Sequence, residues 1–330
     1  MPAFSIIVPV YNRPEELNDL LDSLAVQTFK DFEVIIVDDG SEIKSEQLVS
    51  GYAKDFQVRY IYKENEGPGL ARNAGAGQAT GRWLLFLDSD CFLPVDYMEI
   101  VNRETASEDF DSFGGPDRPH HSFNVIQKAI GYAMSSVLTT GGIRGAAEKF
   151  DIFYPRSFNL GVRNSVFCSL NGFSSMRFGE DLDFSMRLLK KGYSSRLIKD
   201  AFVYHKRRKN LRAFFKQVYN SGIARINLEL RHKGTLKLVH CLPTLFVLGH
   251  LAVLLASLCQ PWLLLLLVPV PLIVFFHALR ETKELHTACW AVPAVFTQNF
   301  GYGLGFLEAL IVRKMLKQKE FQAFSKNFYK

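Results

Sequence analysis

Five cysteines occur in the chain, at 91, 168, 241, 259 and 289, and no two stand in a Cys-X-X-Cys arrangement. That spacing gives neither a zinc site nor a disulfide framework and fits a reducing compartment. No glycine-rich loop of the Rossmann or P-loop type follows any expected strand, so those phosphate cradles are absent from the reading. Met1-Pro2 leads directly into an apolar strand, and no signal peptide is expected. No internal repeat is visible. The most telling lack is of charge. Leu238–Leu279 runs for 42 positions without Lys, Arg, Asp or Glu. A bilayer core of about 30 Å needs about 20 helical residues, so this stretch suits a hairpin of two spans, turning at Gln260-Pro261. The segment 285–312 is apolar too but carries Gln298, Asn299, Glu308 and several glycines. It reads as a third span, a re-entrant segment or an interfacial helix.

Charge is plentiful beside that stretch. Residues 206–237 hold ten Lys or Arg against Glu229 alone, and residues 313–330 hold six against Glu320. These local nets of +9 and +5 exceed the chain's +6, so the remainder is acidic. By the positive-inside rule both basic segments lie in the cytoplasm, which requires an even number of crossings. The expected location is therefore the inner, cytoplasmic membrane, with the N-terminal domain facing the cytoplasm. Basic segments beside a bilayer suit anionic headgroups or a lipid phosphate. Next to such a hairpin they do not suggest nucleic acid.

The first ninety residues alternate in period. Phe4–Val10, Phe32–Val37, Val58–Tyr62 and Trp83–Leu87 are short, apolar and rich in β-branched or aromatic residues, as buried strands are. Helical spacing lies between them. After Pro14, Leu17, Leu20, Leu21 and Leu24 form one stripe. Strand and helix alternating four times predict a parallel sheet with right-handed crossovers, and ligands bind beyond the carboxyl ends of such strands.

Those ends carry the unusual residues. They read Pro9-Val10-Tyr11-Asn12-Arg13, then Asp38-Asp39-Gly40-Ser41, then Asn65-Glu66-Gly67-Pro68-Gly69 with Ala71-Arg72-Asn73, then Asp88-Ser89-Asp90. Polar, glycine-containing loops are ordinary taken singly. An aromatic, an acid pair, a cation and an Asp-X-Asp turn on one sheet edge suit a nucleotide diphosphate. The last pair offers hard oxygen ligands for Mg²⁺ or Mn²⁺.

This set of motifs, in this order, resembles the family-two glycosyltransferases over roughly residues 4–225. The resemblance implies a GT-A fold, that is, a Rossmann-like mixed sheet that binds nucleotide-diphospho-sugars, here followed by a C-terminal helical transmembrane module. The domains expected are 1–230, catalytic, and 231–330, membrane. It implies that Tyr11 lies against the base with Pro9 shaping its pocket, and that Asp39 bonds the base edge. Arg72 would approach the nucleotide or its phosphates, Asp88 would serve the ribose, and Asp90 would hold the metal. Asp38 reads instead as a helix cap. Phe178-Gly179-Glu180-Asp181 before an apparent helix at 182–189 resembles the family's catalytic Glu-Asp motif, with Asp181 as general base and Glu180 orienting it or the acceptor. His205, after Ala201-Phe202-Val203-Tyr204, is a candidate third metal contact. Gly114-Gly115-Pro116 resembles an acceptor-side turn, and Gly141–Gly145 a candidate lid in a region, 117–151, that shapes acceptor choice.

The expected reaction is metal-dependent, inverting transfer of a sugar from a UDP-sugar or similar donor to a hydroxyl of a lipid or lipid-linked glycan. Two other classes stand beside it. A processive polysaccharide synthase usually carries Gln-X-X-Arg-Trp, whereas this chain reads Gln217-Val218-Tyr219-Asn220. A scaffold that binds nucleotide sugars without catalysis would not need Asp88, Asp90 and Asp181.

Overall fold

The computed structural model describes residues 1–107, 109–140 and 153–324. The candidate lid at Gly141–Gly145 lies outside them. The chain divides into two compact units. The first takes Met1–His120 and the later segment ending at Lys206; the second takes the segment beginning at His121 and everything from Arg207 onward. The boundary expected at 230 therefore falls inside the second unit.

The first unit holds ten strands and six helices among its described residues. In chain order these are β1 (Phe4–Val10), α1 (Pro14–Ala25), β2 (Phe32–Asp39), α2 (Glu46–Ser50), β3 (Gln57–Lys63), α3 (Pro68–Ala76), β4 (Trp83–Leu87), β5 (Cys91–Phe92), α4 (Tyr97–Thr105), β6 (Ser112–Gly114) and β7 (Asp117–Arg118). After α5 (Val125–Ser135) and α6 (Val137–Thr140), which belong to the second unit, come β8 (Asn159–Arg163), α7 (Asn164–Ser169), α8 (Glu180–Lys190), β9 (Ser195–Leu197) and β10 (Val203–His205).

Seven strands make one sheet in the order β3-β2-β1-β4-β8-β6-β9. The first four are parallel, as expected, and β8 pairs antiparallel with both β4 and β6. The sheet is mixed for that reason. Every residue of β2 and β4 is buried, which is why their apolar runs show no alternation. Helix α1 starts at Pro14, whose missing N–H costs nothing in a first turn. Leu17, Leu20, Leu21 and Leu24 are all fully buried against the sheet. Burying each contributes about 1.5–3 kcal/mol. Strands β5, β10 and β7 form a separate three-stranded sheet.

Two local expectations change. Helix α8 starts at Glu180, not at 182, because Gly179 takes φ +85° and turns the chain into the helix there. Gly115 does have a close neighbour, but it is protein: a Cβ there would lie 1.7 Å from the carbonyl oxygen of Ala201.

The second unit is helical. It contains α5, α6, α9 (Leu211–Arg231), α10 (Leu242–Ser257), α11 (Pro269–Thr282) and α12 (Leu285–Ala309). Short 3₁₀ segments precede α10 and α11, and a π-helical turn, Leu310–Met315, follows α12. Two stretches, Leu238–Ser257 and Pro261–Thr282, are long and apolar enough to cross a membrane by length and composition, with mean hydropathies of 2.1 and 2.4. Only Thr244 and Val247 of α10 are buried, and only Val274 and Ala278 of α11. Helix α12 is different. Ten of its residues are buried, and its glycines set its packing. A Cβ on Gly305 would meet the carbonyl of Tyr219 at 2.1 Å, and one on Gly301 would meet Val218 at 2.5 Å. Gly303 faces Pro243 instead. Of its polar residues, Glu308 accepts the Tyr219 hydroxyl at 2.8 Å and the Asn299 amide donates to the Val295 carbonyl at 2.9 Å.

Candidate active site

The site is built from the ends of β1, β2, β3 and β4, the start of α8 and the end of β10, all in the first unit. Asn12 is held at φ +52°, an arrangement asparagine tolerates better than most residues. Its amide oxygen accepts the Glu42 N–H at 2.8 Å and its own N–H donates to Ser41 Oγ at 2.9 Å. The β1 and β2 exits are thereby tied together. Pro9 and Tyr11 are half-buried at this edge.

Asp38 and Asp39 close the next loop. Asp38 accepts the Ser41 N–H at 2.8 Å and the Tyr60 hydroxyl at 2.5 Å. It caps a turn rather than a helix, since α2 begins only at Glu46. Asp39 accepts the N–H groups of Glu66 and Gly67 at 3.0 and 2.8 Å, and Lys63 Nζ at 3.2 Å. It shapes the 65–67 loop directly. Arg177 reaches the same loop through Asn65 at 2.5 Å.

Gly67, at φ +101°, then admits the chain to α3 with Pro68 in its first turn. Arg72 projects from α3 and is 3% exposed. One of its terminal nitrogens lies 2.6 Å from Asp88 and the other 2.8 Å from Glu180. The guanidinium is therefore buried, and it bridges the β4 exit to the start of α8. Asn73 reinforces this bridge, exchanging two 2.8 Å hydrogen bonds with the backbone of Phe173.

Glu180 and Asp181 are buried in the first turn of α8. Burial raises the Glu180 carboxyl to about 7, and the neighbouring charge of Asp181 adds to this while Arg72 opposes it. Burial would raise Asp181 also, but the charge and hydrogen bond of Arg156 outweigh it, helped by the Leu182 N–H and Arg72. Asp181 is held below the ordinary carboxylate range and is ionised at neutral pH. Arg156 Nε lies 2.6 Å from its Oδ2. Two adjacent acids thus sit in environments that separate their proton affinities, the usual mark of an acid–base pair.

Asp90 meets two nitrogens. Arg13 pairs with its Oδ2, and His205 Nε2 lies 3.1 Å from its Oδ1. The register explains the histidine: β10 runs antiparallel to β5 and sets His205 opposite Cys91. The donor atoms of Asp90, Cys91 and His205 fall within 4.8 Å of one another. Burial and the charges of Asp90 and Asp88 push the Cys91 thiol well up, and sulfur is a softer ligand than Mg²⁺ or Mn²⁺ ordinarily take. Asp90 and His205 do fit a small divalent cation. Two ligands at about 2.1 Å and at right angles stand about 3.0 Å apart.

Arg13 and Arg156 were not among the expected site residues. Arg13 stands in the quoted β1 exit loop, which was its only signal. Arg156 stands three residues before β8 with no motif around it.

Comparisons with known proteins agree with this architecture. Residues 5–161 match the family described as Glycosyl transferase family 2. An uncharacterized glycosyltransferase of Haemophilus influenzae is 32% identical over 196 residues, 57% of this chain and 62% of that protein. One of Rickettsia felis is 45% identical over 106 residues, 32% of this chain but 18% of that protein. The chain thus spans less than two thirds of either relative. Among solved structures, a mannosyltransferase from Pyrobaculum calidifontis superposes with a TM-score of 0.65 at 17% identity, covering 91% of this chain and 88% of that one. That likeness concerns the fold. Over residues 5–161, which contain the parallel strands and the Asp-Ser-Asp turn, this chain is thus similar to glycosyl transferase family 2 and to proteins named as glycosyltransferases.

Proposed function

We propose that the protein moves a sugar from a nucleotide-diphosphate donor, a UDP-sugar or a close analogue, to a hydroxyl of a membrane lipid or lipid-linked glycan, inverting the anomeric centre. The observation that carries this reading is the Arg72 bridge between Asp88 and Glu180. It ties the loop expected to hold the donor to the helix turn expected to serve the acceptor. Tyr11 and Pro9 flank the base, Asp39 faces its edge while fixing the 65–67 loop, and Asp88 serves the ribose. Asp90 and His205 hold Mn²⁺ or Mg²⁺, which when bound offsets diphosphate charge as the leaving group departs. The Pyrobaculum protein of like fold was solved with GDP-Man and Mn²⁺. Asp181, ionised and oriented by Arg156, accepts the proton of the attacking hydroxyl at its free lone pairs. Glu180, with its raised proton affinity, positions the acceptor. One base and one displacement invert the centre.

Lipid as the acceptor side follows from the second unit. Helices α10 and α11 and the 3₁₀ segment Pro261–Leu267 leave large apolar side chains exposed, among them Leu255, Trp262, Leu265 and Phe276. Exposed apolar surface on this scale belongs against lipid or protein. With basic segments on both flanks, a two-span hairpin keeps the transferase domain in the cytoplasm.

The test is transfer from a panel of radiolabelled nucleotide sugars into lipid extract, by membranes containing the wild type or Asp181→Asn. The expected result is label in the lipid fraction, abolished by EDTA and restored by Mn²⁺, with kcat in the variant down by about 10²–10⁴ and donor KM little changed. Collapse of donor binding in Asp181→Asn would place that residue on the donor side and sink the assignment.

A further inference from the structure

Arg13 enters the site through a constrained turn. Asn12 is pinned by Ser41 and Glu42, and the Arg13 carbonyl accepts the Leu17 N–H at 3.0 Å as α1 begins. Strands β1 and β4 are neighbours, so the side chain needs only to cross from one strand end to the next to pair with Asp90. The pair is largely sheltered, with side-chain exposures of 22% and 13%. Oδ2 of Asp90 is taken by Arg13 and Oδ1 is faced by His205. A guanidinium cannot lose its proton in a protein, so this positive charge is permanent.

We propose that Arg13 is a resident counter-ion that competes with the divalent cation for Asp90 and makes tight metal binding depend on an anion able to take Arg13 over. This rests on the reading of Asp90 as a metal ligand. A divalent ion at Asp90 would stand within a few Å of the guanidinium, and at such range in a partly buried site the repulsion exceeds a factor of ten in affinity. The planar fork of arginine matches phosphate oxygens well. A nucleoside diphosphate beside the metal therefore gives Arg13 an alternative to Asp90 and relieves the repulsion. Metal and diphosphate then strengthen each other's binding by the same factor, as linkage requires. The cell's free Mn²⁺ or Mg²⁺ would load fully only with the donor in place.

The test is Mn²⁺ binding to the purified full chain, followed by the electron paramagnetic resonance of free Mn²⁺, with and without UDP, and with GDP in parallel. Without nucleotide, Arg13→Gln should bind Mn²⁺ at least about tenfold more tightly than wild type. UDP should tighten Mn²⁺ binding in the wild type much more than in Arg13→Gln. Arg13→Lys, which keeps the charge without the fork, should match the wild type alone and lose part of the gain from UDP. Equal or weaker Mn²⁺ binding by Arg13→Gln, while Asp90→Asn still abolishes it, overturns the inference and leaves the metal reading standing. Unchanged Mn²⁺ binding by Asp90→Asn overturns both, because the cation is then held elsewhere.

Discussion

Asp88 and Glu180 are bound to the two terminal nitrogens of one guanidinium, that of Arg72, at 2.6 and 2.8 Å. The residues are 92 positions apart in the chain, one at a strand exit and the other in the first turn of a helix. Breaking a buried ion pair by removing one partner costs about 3–5 kcal/mol, because the other charge is left without compensation. Arg72→Leu should lose about that much stability in urea unfolding. Adding Glu180→Gln should return part of it. If the double variant is no more stable than the single one, the loss comes from packing and not from stranded charge.

The raised proton affinity of Glu180 carries a pH signature. With a folded-state value of about 7 and an ordinary value of 4.5, the folded chain holds more protons than the unfolded one between those limits. Stability from this group is present below about 4.5 and is lost as pH rises through 7. Glu180→Gln removes that slope. Its stability relative to wild type should therefore rise by roughly 2–3 kcal/mol from pH 4.5 to pH 8. Parallel unfolding curves at the two pH values would show the environment of Glu180 to be ordinary.

The glycines of α12 make a sharper contrast. Gly305→Leu must push Tyr219 and its helix away, since even a Cβ at 305 falls 2.1 Å from a backbone oxygen. Overpacking of this kind costs about 1–3 kcal/mol or more. Gly249 on α10 has no neighbour within 4 Å of its Cβ position. Gly249→Ala should be neutral or stabilising by up to about 1 kcal/mol, through the conformational entropy of glycine. Thermal unfolding of both variants checks the pair, and equal effects would mean that α9 and α12 are not packed through glycine.

Membrane insertion has its own readout. The chain should stay in the membrane pellet after alkaline carbonate, and a reporter fused after Lys330 should be active in the cytoplasm. Extraction by carbonate, or a reporter found outside the cell, would reduce the hairpin to a peripheral contact.

How much of this was legible beforehand depended on element length. Strands β1 to β4 read clearly because each is long enough for a mainly apolar, β-branched or aromatic pattern to show, and β4 lies at the predicted Trp83–Leu87. Helix α1 read clearly because four leucines share one face. Strands β5 and β7 have two residues each, too few for any period to show. The early start of α8 depended on the positive φ of Gly179, which a Gly-Glu-Asp string does not announce. Segment 125–135 joins the helical unit through contacts distant in sequence, among them Tyr132 with His277 at 2.8 Å. Side-chain pairings were the least visible. Asp39, Asp90 and Asp181 stood out as acids at strand and helix ends, but nothing local indicates that their partners are Lys63, Arg13 and Arg156.

The ladder between β5 and β10 has only two rungs, Tyr204 with Phe92 and His205 with Cys91. A slip by one residue would turn His205 to the other face of the ribbon. Short ladders open more readily than the core strands around them, and such openings need not involve the rest of the fold. Amide exchange at Tyr204 and His205 should therefore outpace exchange in β1 and β4. The protein has in effect two separate thresholds of failure: one at which the seven-stranded sheet melts, and a lower one at which only the imidazole leaves Asp90.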